Sequence, residues 1–129
     1  VPKPIARNRH TIVMEYVDGR ELYKVRLDNP REIYHKILHE IAKAYKVGII
    51  HADLSEFNIM VSVDTKVYII DWPQYIISTH PDALRYLEKD VLRISMYFHR
   101  KYHIPFGDME TIIKEEFKDF NLQIRFELT

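Results

Sequence analysis

Cysteine is absent from the 129 residues, so neither disulfides nor thiolate chemistry is available, and a reducing, cytoplasmic setting fits. Glycine is scarce, with three residues scattered along the chain, which excludes a glycine-rich loop. No apolar run approaches membrane-spanning length and the opening "VPKPIARNRH" resembles no signal peptide, so no membrane association is expected. Net charge is missing too: 19 basic and 19 acidic residues give a formal charge of zero, and with it no overall polyanion-binding signature. The distribution is uneven, because residues 1–26 carry six Lys/Arg against three Asp/Glu while 108–129 carry three against six. Ordinary solvated surface accounts for that asymmetry, with an RNA- or partner-facing role as the alternative. What is present, 47% apolar and 29% charged residues, is the balance of one soluble globular domain.

The pattern predicts an α+β chain. "TIVMEYV" (11–17) reads as a strand ended by Asp18-Gly19. The first helix lies within "DNPREIYHKILHEIAKAYKVG", capped by Asp28 or Asn29, opened by Pro30 and stopped by Gly48, with Ile33, Ile37, Leu38, Ile41 and Tyr45 as its apolar stripe. "IMVSV" and "VYIID" form a hairpin across "DTK". A second helix begins near Pro81, capped by Thr79 or His80, with its stripe at Leu84, Leu87, Val91, Ile94 and Phe98. Asp108 caps a third helix reaching about Phe117. The tail "LQIRFEL" alternates in polarity and is a strand or an extension.

Between the first helix and the hairpin stands "HADLSEFNIM" (51–60), which puts Asp53 and Asn58 five residues apart. Asp71 follows at the end of the hairpin, so Asn58 and Asp71 are expected to face each other across a small cleft. Two carboxylates and an amide oxygen are hard oxygen ligands, of the kind Mg²⁺ accepts while keeping waters and substrate phosphates. This order of H-x-D, Asn, hairpin and Asp is the wiring of phosphoryl transfer in the kinase fold. Asp53 takes the acceptor's proton in that scheme, Asn58 and Asp71 hold the metal, and His51 supports the loop. The pairs His35/His39 and His99/His103 have i, i+4 spacing without an evident third ligand, so exposed helix surface is the expectation for both.

"HADLSEFN", "YIIDWPQ" and "STHPDALRYLEKDV" resemble the RIO family of atypical protein kinases and ATPases. "VPKPIARNRHTIVMEYVDG" and Trp72-Pro73-Gln74 look like its second subfamily, whose members carry an N-terminal winged helix, whereas Ala52 is closer to the first, since the second usually has Gly. The resemblance covers most of residues 1–107. It implies a protein-kinase-like C-terminal lobe, ATP and Mg²⁺ as cofactors, Met14 as gatekeeper, and an adenine hinge over Glu15–Val17, with the Glu15 carbonyl and Val17 N–H as contacts. It also implies serine autophosphorylation or ATP hydrolysis, a phosphorylated aspartate at the Asp71 position, and a role in maturing the small ribosomal subunit. The expected organisation is one unit over 1–129: strand and hinge at 1–19, catalytic lobe at 20–107, and C-terminal helix and tail at 108–129.

No glycine-rich loop and no V-A-I-K-type lysine precede "TIVMEYV", so the chain looks like a C-terminal lobe whose N-terminal lobe and winged helix belong to a parent protein. Only residues 72–79 separate Asp71 from the expected cap of the second helix, too few for the long activation segment of ordinary protein kinases. Two rivals stay open. One is a small-molecule phosphotransferase of the aminoglycoside- or choline-kinase type, which a long helical insert would support. The other is a non-catalytic module that docks on a pre-ribosome, which loss of Asp53 or Asp71 would support.

Overall fold

The computed structural model describes residues 4–8, 11–14, 19–72 and 74–118. Helix α1, Pro30–Lys46, starts where the Asn29 side chain accepts the Glu32 N–H, and Pro30 occupies the first turn, where its missing donor costs nothing. It ends before Gly48, whose φ of +93° suits a residue without Cβ. Ile33, Ile37, Leu38 and Ile41 are buried along one face, with Tyr45 packed at the edge. Helix α2, Ala83–Tyr102, buries Leu87, Val91, Ile94 and Phe98 against that face. A 2.6 Å hydrogen bond between Tyr34 and Ser95 hydroxyls crosses this contact, and burial pushes the Tyr34 phenol above its ordinary pKa. Helix α3, Met109–Phe117, is capped by Asp108, whose Oδ1 accepts the Thr111 N–H at 2.9 Å; it contributes Ile113 and Phe117 to the core.

The start of α2 differs from the sequence expectation. Neither Thr79 nor His80 caps it, and the helix begins two residues beyond Pro81, after Asp82. His80 Nδ1 instead accepts the Asp82 N–H at 3.0 Å and the His80 carbonyl accepts the Ala83 N–H, which closes a turn in front of the helix. The connection from Asp71 to α2 therefore runs over 72–82, and it contains a strand the sequence did not suggest.

The strands are short and antiparallel. Two of them, β1 (Pro4–Asn8) and β2 (Thr11–Met14), pair with each other. The strand expected over 11–17 is thus described as far as Met14, and β1 is an addition to it. Strand β3 (Gly19–Glu21) joins β5 (Ile59–Ser62), which pairs with β6 (Val67–Ile69) in the register Ile59–Ile69, Met60–Tyr68, Val61–Val67. This hairpin agrees with the expected one, and Thr65 at φ 65° turns it. Gly19 is required by proximity: a Cβ there would stand 2.5 Å from the Val61 carbonyl oxygen. The last pair, β4 (Ile49–Ile50) with β7 (Ile76–Ile77), zips together the entrance and exit of the segment carrying the polar motif. The result is α+β, and among the described residues no helix is long and apolar enough to cross a membrane.

Candidate active site

The polar motif forms one excursion from the helical core, leaving at β4 and returning at β7. Its hub is the backbone of Ile70. The Ile70 N–H donates to the Asn58 carbonyl at 2.7 Å, and the Ile70 carbonyl accepts from His51 Nε2 at 2.9 Å. His51 Nδ1 in turn accepts the Asp53 N–H at 3.3 Å. One buried imidazole thus ties the backbone of Asp53 to the residue before Asp71, and Ile70 ties both to Asn58. The Trp72 ring lies 5.0 Å from the His51 ring, held by its own Nε1–H on the Ile69 carbonyl at 2.8 Å. Taken together, these bonds gather the backbones at Asp53, Asn58 and Asp71 around one point.

Asp71 lies past the end of β6 rather than closing it, as the sequence suggested. Its φ is 60°, one residue after the last cross-strand bond of the hairpin, from the Ile70 N–H to the Asn58 carbonyl. Its carboxylate is exposed, and among the described residues no hydrogen bond or ion pair to it is present. Asn58 closes a 3₁₀ turn, Glu56–Asn58, through a capping box in which its Oδ1 accepts from both the N–H and the hydroxyl of Ser55 at 3.0 Å. This donor set suits a hard divalent cation. The Asp71 carboxylate has no partner among the described residues, and rotation of the Ser55 hydroxyl frees a lone pair on Asn58 while the backbone bond keeps the side chain in place.

Two residues of the site come from α2, and sequence reading missed both. Asp90, 1% exposed, accepts the Ala52 N–H at 2.8 Å and the Leu54 N–H at 3.1 Å, thereby fixing the loop on either side of Asp53. Burial raises the Asp90 carboxyl above its ordinary pKa, and the two N–H bonds oppose that shift. Its signal in the sequence was a carboxylate inside the Leu87–Phe98 apolar stripe. One turn on, Arg93 Nη1 lies 2.9 Å from Asp53 Oδ1. No motif flagged it.

Of the expected hinge, Met14 ends β2, while Glu15 and Val17 lie outside the described residues, as does the tail "LQIRFEL". Among the described residues no cluster of three or more His, Asp or Glu is arranged for a metal. His35 bonds Glu116 of α3 at 2.7 Å, and His99 Nδ1 is 3.1 Å from the Ile104 carbonyl; all four histidines are exposed, three on helix surface as expected and His103 just past the end of α2.

The RIO domain family model matches residues 1–111. The RIO-type serine/threonine-protein kinase Rio2 of Methanocaldococcus jannaschii is 40% identical over 124 residues, spanning 92% of this chain and 46% of the relative. The serine/threonine-protein kinase rio2 of Schizosaccharomyces pombe is 39% identical over 131 residues, spanning 98% and 38%. The chain thus spans less than half the length of these two relatives. A Rio2 kinase–ADP/Mg²⁺–phosphoaspartate complex from Chaetomium thermophilum superposes with a TM-score of 0.71 at 33% identity, over 92% of this chain and 39% of that one. The bifunctional kinase-methyltransferase WbdD, with a TM-score of 0.60 at 17% identity over 96% and 32%, shares the fold alone. Its fold is therefore protein-kinase-like, and the chain belongs to the RIO family of serine/threonine-protein kinases.

Proposed function

We propose that this chain supplies the acceptor and metal side of a Mg²⁺-dependent, ATP-consuming phosphotransfer site of the Rio2 type. The observation carrying this reading is the Ile70 hub, which brings the backbones at Asp53, Asn58 and Asp71 together, with the Asp71 side chain exposed. Its similarity to a relative solved with ADP and Mg²⁺ supports the same cofactors. ATP would bind with its adenine against the backbone after Met14, donating to the Glu15 carbonyl and accepting from the Val17 N–H. Asp53 would orient the attacking hydroxyl and accept its proton as the bond to the γ-phosphorus forms and the bond to ADP breaks. Asn58 and Asp71 would hold Mg²⁺, which when bound neutralises charge on the phosphate oxygens. His51 would keep the loop in register with Asp71 through Ile70.

A second reading is favoured by the phosphoaspartate in the Chaetomium relative. In it, an Asp71 oxygen attacks the γ-phosphorus, ADP leaves, and water oriented by Asp53 later releases phosphate, giving net ATP hydrolysis. By resemblance we extend the reading to maturation of the small ribosomal subunit in the cytoplasm, which co-sedimentation of the full-length protein with pre-ribosomal particles tests.

Three substitutions in the full-length protein test the site. Asp53→Asn should leave Mg²⁺-ATP binding nearly unchanged while turnover falls about 10²–10⁴-fold, the usual scale of general-base loss. Asp71→Ala should lower Mg²⁺-dependent nucleotide affinity and turnover together, with Asn58→Ala a milder version. Unaltered Mg²⁺ dependence in both metal-side variants, read by calorimetry, would remove the shared metal site.

A further inference from the structure

The hydrogen bonds around Asp53 leave one freedom unaccounted for. Its backbone is pinned on three sides, by Asp90 to the N–H groups of Ala52 and Leu54 and by His51 Nδ1 to its own N–H. None of these bonds fixes where the carboxylate points. The one described contact that does so is Arg93, with Nη1 2.9 Å from Oδ1. Arg93 and Asp90 stand three residues apart on α2, so one helix turn sets both the loop backbone and the side chain it presents.

We propose that Arg93 is a positioning residue for phosphotransfer: by holding Oδ1 of Asp53 it directs Oδ2 toward the attacking hydroxyl or water. The inference rests on Asp53 being the group that meets the acceptor. The side chains are 43% and 49% exposed, and ion pairs so open to solvent add little to folding stability, so the contact makes a poor structural brace. An orienting role needs no such stability. Reacting groups must sit within a few tenths of an ångström of their productive geometry, and a misplacement of about 1 Å can cost about 10²-fold in rate. A planar guanidinium also holds a carboxylate more directionally than an ammonium does, which makes Lys an imperfect substitute.

The test compares Arg93→Ala, Arg93→Lys and Asp53→Asn in the full-length protein, reading kcat, KM for ATP and Tm. Arg93→Ala should lower kcat about tenfold or more, with KM for ATP and Tm close to those of the parent. Arg93→Lys should recover part of the loss, and millimolar guanidinium added to Arg93→Ala should recover more. An unchanged kcat in Arg93→Ala, beside a depressed one in Asp53→Asn, overturns the inference and leaves the Asp53 reading standing. A kcat loss that tracks a falling Tm and resists both rescues makes Arg93 structural and also overturns it. Should Asp53→Asn itself retain full kcat, the reading of Asp53 falls, and the inference falls with it.

Discussion

Ala52 and Asp71 both hold their backbone in the left-handed region, at φ 75° and 60°, on either side of the site. Each carries a Cβ there, at a cost of about 1–2 kcal/mol, and each is held by a long-range partner. Asp90 takes the Ala52 N–H, and His51 takes the carbonyl just before Asp71. The usual Gly of the second RIO subfamily at position 52 thus has a physical counterpart in this chain. Ala52→Gly should relieve the Cβ penalty but add unfolded-chain freedom worth about 0.4–1 kcal/mol, so stability should stay level or rise by up to about 1.5 kcal/mol. Ala52→Val, with a branched side chain forced to positive φ, should lose about 2 kcal/mol or more. Urea unfolding of the three chains decides this. A Gly variant clearly less stable than the parent would show that packing of the buried methyl, not the backbone, rules the position.

Among the elements, α2 sets the geometry of the loop. Asp90 supplies two acceptors to two buried N–H groups, whereas an amide supplies one acceptor and turns a donor toward the other. Asp90→Asn should therefore cost about 1–3 kcal/mol, the range for a buried donor left unsatisfied. The pH dependence has a definite sign. Burial holds the folded Asp90 carboxyl above its ordinary value of 3.8, so its contribution is fully present below that value and is lost as the pH rises through the folded one. The stability gap between parent and Asp90→Asn should then be widest in acid and narrow toward neutrality, as thermal melts across a pH series would show. A gap that widens with pH would mean that the two N–H bonds to the ionised form outweigh burial. The ends of α1 and α3 were legible because Asn29, Pro30, Gly48 and Asp108 act within a few residues. The start of α2 was not, since the His80 side chain bonds the Asp82 N–H and delays the helix.

For the whole molecule, the question is how much nucleotide affinity this chain holds. Its three glycines stand at 19, 48 and 107, so no glycine-rich loop of its own can wrap the phosphates. Adenine contacts would amount to about two hydrogen bonds, each worth roughly 0.5–1.5 kcal/mol net, and ordering the ligand on an open surface offsets much of that. The 129-residue chain should bind Mg²⁺-ATP with a Kd of about 1 mM or weaker and transfer no phosphate. Calorimetry checks this, and micromolar binding would mean that groups other than Asn58 and Asp71 grip the phosphates.

By itself the sequence determined the three helices, the β5–β6 hairpin and membership of the RIO family. Each rests on short-range information: a cap, a period of apolar residues, or the contiguous runs "HADLSEFN" and "YIIDWPQ". What only the tertiary structure decided is how that motif is held. Ala52 and Leu54 bond Asp90 across 38 and 36 residues, Asp53 meets Arg93 across 40, and His51 reaches Ile70 across 19. Strands β4 and β7 are two residues each, too short for any periodicity to announce them. The bonds to Asp90 and Arg93 depend on how α2 packs against α1 and β4, which carries both residues to the loop, and neither has a local reason to be there.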